Sequence, residues 1–461
     1  MRDDTDRLLP ASPVTSLEQH LEAGGGTGLE RARSLTPDEV IAEVDAAGLR
    51  GRGGAGFPTA TKWRGVQETA EHAGGRLSIV ANAAEGEPGT YKDRTLIEQQ
   101  PYAFLEGICI ALHASGADDA HIGIKASFTR PLERLQHALD EIVAAGWAGA
   151  DRIAIVPGPD LYLFGEETGM LEVIEGKLPM PRLVRPFEAG LNATTTVPNP
   201  TIVNNVETFS HVARIMANGA DWFREAGTEA SPGTMVFTVV GDVTNPGVYE
   251  LALGTPLRVL LEDIAGATDI KAVYSGVSNA VILEQHLDTP LCFDAMSDAG
   301  VGMGSGGFIV YGRDRSIVDV LSVLVNFLSV ESCGQCNACK LGNGAMAETL
   351  ANLQAGLGSR TDLESLLRRA ATVTDQNRCY LPVGSQLLVG STIAAFEDEL
   401  IETVEAGTQT PADLPTPLIV DIDEDQGVVH YHERYHLRQV DWSYADEDPT
   451  AERLEAIRRT D

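Results

Sequence analysis

Positive charge is scarce in this sequence. Its 461 residues carry 34 Lys and Arg against 67 Asp and Glu, a formal net charge of −33. Such a surface repels nucleic acid and anionic lipid, which argues against both as partners. Solubility explains the acidity as well as docking onto a basic partner does. Long apolar runs are also scarce. The most apolar stretch, Ile317 to Val330, is interrupted by Asp319 and Asn326 and is too short to span a bilayer. The N-terminal Met1-Arg2-Asp3-Asp4 lacks the apolar core of a secretory signal, so a cytoplasmic placement is expected, peripheral to a membrane only through a larger complex. Cysteine is sparse too: six in the whole chain, three of them crowded together. That distribution is no disulfide framework and fits metal or cluster ligation in a reducing compartment.

What is present is ample core material. A hydrophobic fraction of 43% over this length implies roughly two to four domains. Residues 1–35, with Gly24-Gly25-Gly26, read as a loose lead-in. Thr36-Pro37-Asp38-Glu39 offers an N-cap, a first-turn proline and early acids, which predicts a helix running through Val44 to about Gly48. A glycine-rich stretch follows, then Pro58 and a short helical segment around Lys62-Trp63. Strand and helix signals alternate from Leu77 to about Asn218, the signature of an α/β domain. From Thr234 a small α+β module is expected, with helical spacing over Leu257–Ile264 and a closing strand at Phe308–Tyr311. The pattern then stays helical from Ser316 to about Val404. Pro411, Pro415 and Pro417 mark a break before a tail with one or two strands and a charged, mobile end.

Cys333-Gly-Gln-Cys336-Asn-Ala-Cys339 spaces thiolates every third residue, which lets one tight turn reach three corners of a cubane [4Fe–4S] cluster. Cys379 is the remaining downstream cysteine and the candidate fourth ligand, while Cys109 and Cys292 sit among apolar neighbours and read as core. The rival reading is a zinc site, although structural zinc more often takes two separated cysteine pairs.

Gly51-Arg52-Gly53-Gly54-Ala55-Gly56 matches G-x-G-x-x-G, but a helix precedes it where a dinucleotide fingerprint needs a strand. Its glycines still allow backbone N–H groups to approach a phosphate or a flat ring, with Arg50, Arg52 and Lys62 adding charge. A flexible loop is the plain alternative. The run Asn82 to Arg94, with Glu85 and Glu87, follows one strand. Gly165-Glu166-Glu167-Thr168 follows an apolar segment, Leu161 to Phe164, that reads as another. Carboxylates there can receive ribose hydroxyls or a carboxamide; singly, each motif also suits a helix cap. Asn204-Asn205-Val206-Glu207-Thr208 offers paired amides for a flavin edge, or an Asx-capped helix start.

Taken together and in this order, Gly48 to Thr59, Asn82 to Arg94, Gly165 to Thr168, Val203 to Thr208 and Glu331 to Lys340 resemble the NADH-binding flavoprotein subunit of respiratory complex I. Related chains are diaphorase subunits of NAD-linked formate dehydrogenases and hydrogenases. The resemblance covers about residues 40 to 405. It implies an α/β multidomain fold: a Rossmann-like FMN/NADH domain at 36–232, a ubiquitin-like β-grasp domain at 233–312, a helical [4Fe–4S] bundle at 313–408, and a tail at 409–461.

The implied activity is hydride transfer between NADH and FMN, then single electrons to the cluster, with no side chain acting as acid or base. The glycine loop (Gly51, Arg52, Gly53, Gly54, Gly56), Asn204 and Asn205 are implied to hold FMN, with Lys62 near its phosphate or ribityl. Phe57, Glu87, Glu166 and Glu167 are implied to lie along the NADH, Asn82, Glu85 and Thr208 to bind cofactor, and Cys333, Cys336, Cys339 and Cys379 to ligate the cluster. A small thioredoxin-like [2Fe–2S] subunit and further iron–sulfur subunits are the implied partners. Departures from the family pattern are Ala84 for a common Asp, Ala60-Thr61 for Gly-Leu, Ala338 for Pro, and Tyr380 to Pro382 after the fourth cysteine. Ala84 and Ala60-Thr61 leave room for a cluster-bearing subunit without nucleotide binding. The tail histidines His430, His432 and His436 have no family counterpart; a polar strand face is their expected role.

Overall fold

The computed structural model describes residues 7–73, 76–407 and 412–445. Met1 to Asp4, Pro411 and the charged C-terminal end, on which sequence expectations were placed, lie outside them. Four parallel strands form the first sheet: β1 (Ser78–Ala83), β2 (Asp119–Lys125), β3 (Ile153–Gly158) and β4 (Thr201–Asn205), in the order β3-β2-β1-β4. Ile79, Val80 and Ala81 of β1 are all fully buried, the unbroken apolar run expected of a parallel strand covered on both faces. The Pro101–Ser115 helix lies on this sheet and is buried almost throughout. It meets the Val206–Asn218 helix so closely that a Cβ at Gly107 would lie 1.9 Å from the Phe209 carbonyl oxygen. Only glycine permits that approach.

The second sheet contains β5 (Thr234–Gly241), β6 (Gly247–Ala252), β7 (Ile270–Tyr274) and β8 (Gly307–Gly312), ordered β6-β5-β8-β7 with the central pair parallel. It has a core of its own around Phe237, Leu260 and Phe308. Five helices follow, Ile317–Glu331, Asn337–Gln354, Arg360–Thr372, Leu381–Ala395 and Glu397–Ala406, before an antiparallel hairpin of β9 (Ile419–Asp423) and β10 (Val428–Tyr431). The chain thus has a Rossmann-like α/β core and a C-terminal helical region. Among the described residues no helix is long and apolar enough to cross a membrane.

The capping expectation at Thr36 holds in detail: Thr36 and Glu39 form a reciprocal capping box, and Gly48 closes the helix at φ 69°. Several other expectations are corrected. The lead-in is not loose from residue 7 onward. It forms the Leu17–Glu22 and Thr27–Ser34 helices, and Glu106 accepts from the backbone N–H of Gly26 (3.0 Å) and Leu29 (2.9 Å). Those partners are distant in sequence, so local composition could not show them. The segment around Lys62-Trp63 is a full helix, Thr59–Ala73. Leu161 to Phe164 is not a strand; Tyr162–Gly165 is a 3₁₀ turn whose Leu163 and Phe164 are apolar because they fill the core. The helical spacing at Leu257–Ile264 becomes a π-helical turn, Val259–Ile264. Residues 412–445 fold back onto the molecule, with Arg94 donating to the Ile419 carbonyl (2.6 Å) and Tyr435 Oη to Glu331 (2.8 Å).

Candidate functional site

The chain passes from β1 to β2 and β3 on one side, then returns to set β4 on the other. The crevice beyond the C-terminal ends of β1 and β4 is therefore the switch point at which open α/β sheets bind ligands. Asn82 sits there in register with Asn205, and Ala81 with Asn204.

The glycine loop lies across this crevice and is tied at several points. Gly51 N–H donates to the Phe57 carbonyl (2.9 Å), Arg50 Nε to the Gly56 carbonyl (2.7 Å), and Arg52 N–H to Thr208 Oγ1 (3.0 Å). A Cβ on Gly53 would stand 3.1 Å from Asn205 Cβ, and one on Gly56, at φ 61°, would strike the Phe293 ring at 2.5 Å. The loop is thus a fixed cradle, not the flexible alternative. Phe57 stands at its rim, 50% exposed.

Of the three cations the sequence places here, one remains at the crevice. Arg52 is fully buried and donates to the carbonyls of Thr234, Pro232 and Arg50; burial pulls its guanidinium down to about 10. It faces the second sheet, so its side chain is not placed to meet a ligand, and only its backbone belongs to the loop. Arg50 pairs with Asp294 (3.0 Å). Lys62 donates to the Val203 carbonyl in β4 (2.9 Å); burial lowers its pKa and Glu167 opposes that shift.

The acids divide in the same way. Glu85 is buried against Arg94 (2.8 Å) and the Asp93 N–H (2.9 Å), a packing role in place of the ligand contact expected for it. Glu87 accepts from Tyr162 Oη (2.6 Å), Ser278 Oγ (2.7 Å) and Val277 N–H (2.8 Å), and burial raises its pKa against those bonds. Glu166 is the N-cap of the Glu167–Ile174 helix, accepting from Thr168 and Gly169 N–H. Burial also raises its pKa. Glu167 is half-buried, 3.6 Å from Arg185. Asn82 donates to the Gly165 carbonyl (2.7 Å), joining the two acidic motifs. Asn204 accepts from Trp63 Nε1 (2.9 Å), and Asn205 caps the Val206–Asn218 helix. Glu166 and Asn205 therefore act as caps at the same positions that bring them to the crevice.

Sequence reasoning passed over what lies beneath Asn205. Its Nδ2 donates to Asp93 (2.6 Å), and Lys92 Nζ lies 2.8 Å from both Asp93 and Glu207. Burial pushes Glu207 up, but Lys92, His211 and Arg52 outweigh it and hold the carboxyl at about 2. Burial and Glu85 raise Asp93 to about 6 against the pull of Lys92. Glu207 also receives the Val236 N–H of the second sheet (2.9 Å). The signal was in the sequence, as adjacent Lys92-Asp93 inside the run from Asn82 to Arg94, but its buried partner is 115 residues on.

Cys333, Cys336, Cys339 and Cys379 line one cleft with Ser332, Leu163 and Pro181. Gly334 turns at φ 81°, and Cys339 enters the first turn of the Asn337–Gln354 helix, 6% exposed. Ser332 Oγ lies 3.2 Å from Cys339 Sγ, with Asn343 Nδ2 at 3.6 Å; Gln335 Nε2 is 3.6 Å from Cys333 Sγ. Among the described residues no three His, Cys, Asp or Glu side chains converge as a single-ion site, the tail histidines included. Four thiols lining one cleft, with polar groups near the sulfurs, fit the donor set of an iron–sulfur cluster. Cys379 feels the charge of Glu166, Cys339 and Cys333, and burial foremost pushes its thiol up to about 12. The Tyr162–Gly165 turn lies between cleft and crevice: Leu163 lines the cleft, and the Gly165 carbonyl accepts from Asn82 at the crevice. Cys109 and Cys292 are buried elsewhere, as expected of core residues.

Residues 44–214 match the Nuo51 FMN-binding domain, 236–279 the SLBB domain, and 319–403 the NADH-ubiquinone oxidoreductase-F iron-sulfur binding region. Over 401 residues the chain is 37% identical to the second F-type NADH-quinone oxidoreductase subunit of Rhizobium meliloti (strain 1021), covering 83% of this chain and 93% of that one. Over 412 residues it is 35% identical to the F-type NADH-quinone oxidoreductase subunit of Mycobacterium tuberculosis (strain ATCC 25618 / H37Rv), covering 86% and 91%. A crystal structure of an NAD⁺-reducing [NiFe]-hydrogenase in the air-oxidized state superposes with a TM-score of 0.75 at 32% identity, over 90% of this chain and 70% of the other. An FMN-binding α/β core joined to an iron–sulfur helical region, with this similarity along most of the chain, places the protein in the family of F-type NADH-quinone oxidoreductase subunits.

Proposed function

We propose that the β1/β4 crevice holds FMN and receives NADH, and that the four-cysteine cleft holds the [4Fe–4S] cluster that carries electrons away. The observation that carries this reading is the Tyr162–Gly165 turn between the two sites, with Leu163 lining the cysteine cleft and the Gly165 carbonyl bonded to Asn82 at the crevice. When bound, the flavin supplies the exchange between two-electron hydride chemistry and the one-electron chemistry of a cluster. The protein's part is alignment. The loop backbone and Lys62 receive the phosphate-bearing chain, the amides of Asn204 and Asn205 orient the ring edge, and Phe57 offers a face for stacking at the rim. Glu166 and Glu167 disfavour a nucleotide bearing an extra phosphate. The same reading divides the chain into functional units at 36–232, 233–312 and 313–408.

The chain would pass electrons to a small thioredoxin-like [2Fe–2S] subunit and to further iron–sulfur subunits of a larger complex. Likeness to an NAD⁺-reducing hydrogenase favours, as a second reading, a diaphorase working toward NAD⁺ reduction. The test is anaerobic addition of NADH to the full chain carrying flavin and iron, followed by electron paramagnetic resonance. Appearance of a reduced-cluster signal that Cys379→Ser abolishes supports the assignment. A full signal in that variant excludes Cys379 as ligand.

A further inference from the structure

Beyond β2 and β3 lies a chamber of about 540 Å³ whose lining includes none of the four clustered cysteines, the glycine loop, Lys62, Glu166, Glu167, Asn204 or Asn205. This is the size of a small-molecule pocket. Lys125 at the end of β2 and Asp160 just past β3 form its floor; Phe327 and Glu331 close one side. Its roof is the C-terminal segment, through Leu418 to Asp421, His432, Tyr435 and Arg438. These roof residues lie past residue 403, where the last family match ends. The chamber shares only the 85–87 turn and Tyr162 with the crevice side of the molecule.

Its unpartnered polar atoms are Glu98 Oε1 at the lip and two nitrogens at the roof. The acids on its walls are already engaged: Glu85 by Arg94, Glu87 by Tyr162, Glu331 by Tyr435 Oη and Tyr162 N–H, and Asp160 by Lys125 at 3.0 Å. At the lip Asp421 pairs with Arg130, while Glu98, 3.6 Å from Arg130, keeps Oε1 without a hydrogen-bond partner. Two nitrogens at the roof, away from that lip, are unmatched as well. Arg438 is only 9% exposed, yet its Nε has no hydrogen-bond partner and stands 3.8 Å from Glu331. His432 Nδ1 is likewise unpartnered, with Nε2 4.0 Å from Asp160. A buried guanidinium N–H without an acceptor carries a desolvation cost that a bound acceptor would relieve. Flat walls accompany these donors: Phe128, Tyr162, Phe327 and Tyr435.

We propose that this chamber is a second binding site, for a small anion carried on a flat ring, with Arg438 and His432 receiving the anion and the aromatic walls receiving the ring. An aromatic carboxylate and a mononucleotide share that chemistry. The site does not depend on the roles given to the crevice.

The test is titration calorimetry on the full chain held in saturating NAD⁺, with benzoate, AMP, inorganic phosphate and benzylamine as separate probes. Saturable 1:1 binding of benzoate or AMP is expected, and the tighter of the two tells carboxylate from phosphate. Arg438→Gln should weaken it at least tenfold. Ser127→Trp changes an exposed lip residue and should block entry with the melting temperature unchanged, which keeps the test valid if Arg438→Gln loosens the roof. Preferential binding of benzylamine, phosphate binding as tight as AMP, displacement of the probe by NAD⁺, or unaltered binding in Ser127→Trp would each overturn the proposal.

Discussion

The crevice and the cysteine cleft are built on opposite plans. Around the crevice nearly every polar side chain is bonded to the protein itself: Glu166 and Asn205 to helix ends, Asn82 to Gly165, Asn204 to Trp63. In the cleft the sulfurs face a gap, and their polar neighbours approach only at 3.2–3.6 Å. The first site is organised by folding and needs no ligand to hold its shape. The second has its geometry set by a turn and a helix start, and gains its bonds only with metal. Loss of a ligand-facing residue should therefore act differently in the two places.

The largest effect is expected in the cleft. Serine at Cys333, Cys336, Cys339 or Cys379 should abolish the cluster's visible absorbance and leave flavin content intact, whereas Cys109→Ser and Cys292→Ser should leave both unchanged. Equal loss from all six would mean that the cleft has no special standing.

Next comes the buried network beneath the crevice. Glu207→Gln removes one of the two carboxylates paired with Lys92, and breaking a buried ion pair costs about 3–5 kcal/mol, readable by denaturant melting. The pH sense follows from the depressed carboxyl. With a folded pKa of about 2 against a reference of 4.5, its stabilisation is full above pH 4.5 and is lost as pH falls toward 2. Glu207→Gln should flatten that limb of the stability profile.

Exchanging the cations separates ligand binding from folding. Lys62→Met should weaken FMN binding by about tenfold or more, the scale of one charge-assisted bond, with little change in melting temperature. Arg52→Met should do the reverse, because its donors hold carbonyls of the second sheet. A flavin affinity that follows Arg52 more than Lys62 would place the phosphate on the other side of the loop. The smallest effect is expected at half-buried Glu167: Glu167→Gln should raise NADPH use relative to NADH by a few-fold, as suits one partly screened charge.

Parts of this organisation were legible in the sequence and parts were not, for identifiable reasons. The Thr36 cap and the helical run after Ser316 rest on contacts within a few residues, and both were readable. The cysteine spacing was readable because one turn and one helix start fix three thiols. Leu161 to Phe164 misled because a 3₁₀ turn that buries Leu163 and Phe164 is as apolar as a strand. The lead-in misled because Glu106 and Glu250, which bind its backbone, lie far along the chain. Glu85 and Arg52 sat within the right motifs with side chains turned the other way.

The sequence by itself determined which glycines, amides and thiols share one loop, strand end or turn, since their spacing is a local property of the chain. Only the tertiary structure decided which of them face the crevice. A charged side chain leaving water takes whatever partner the packed neighbours supply, and for Arg52 those were the carbonyls of Thr234 and Pro232. For Glu85 the partner was Arg94.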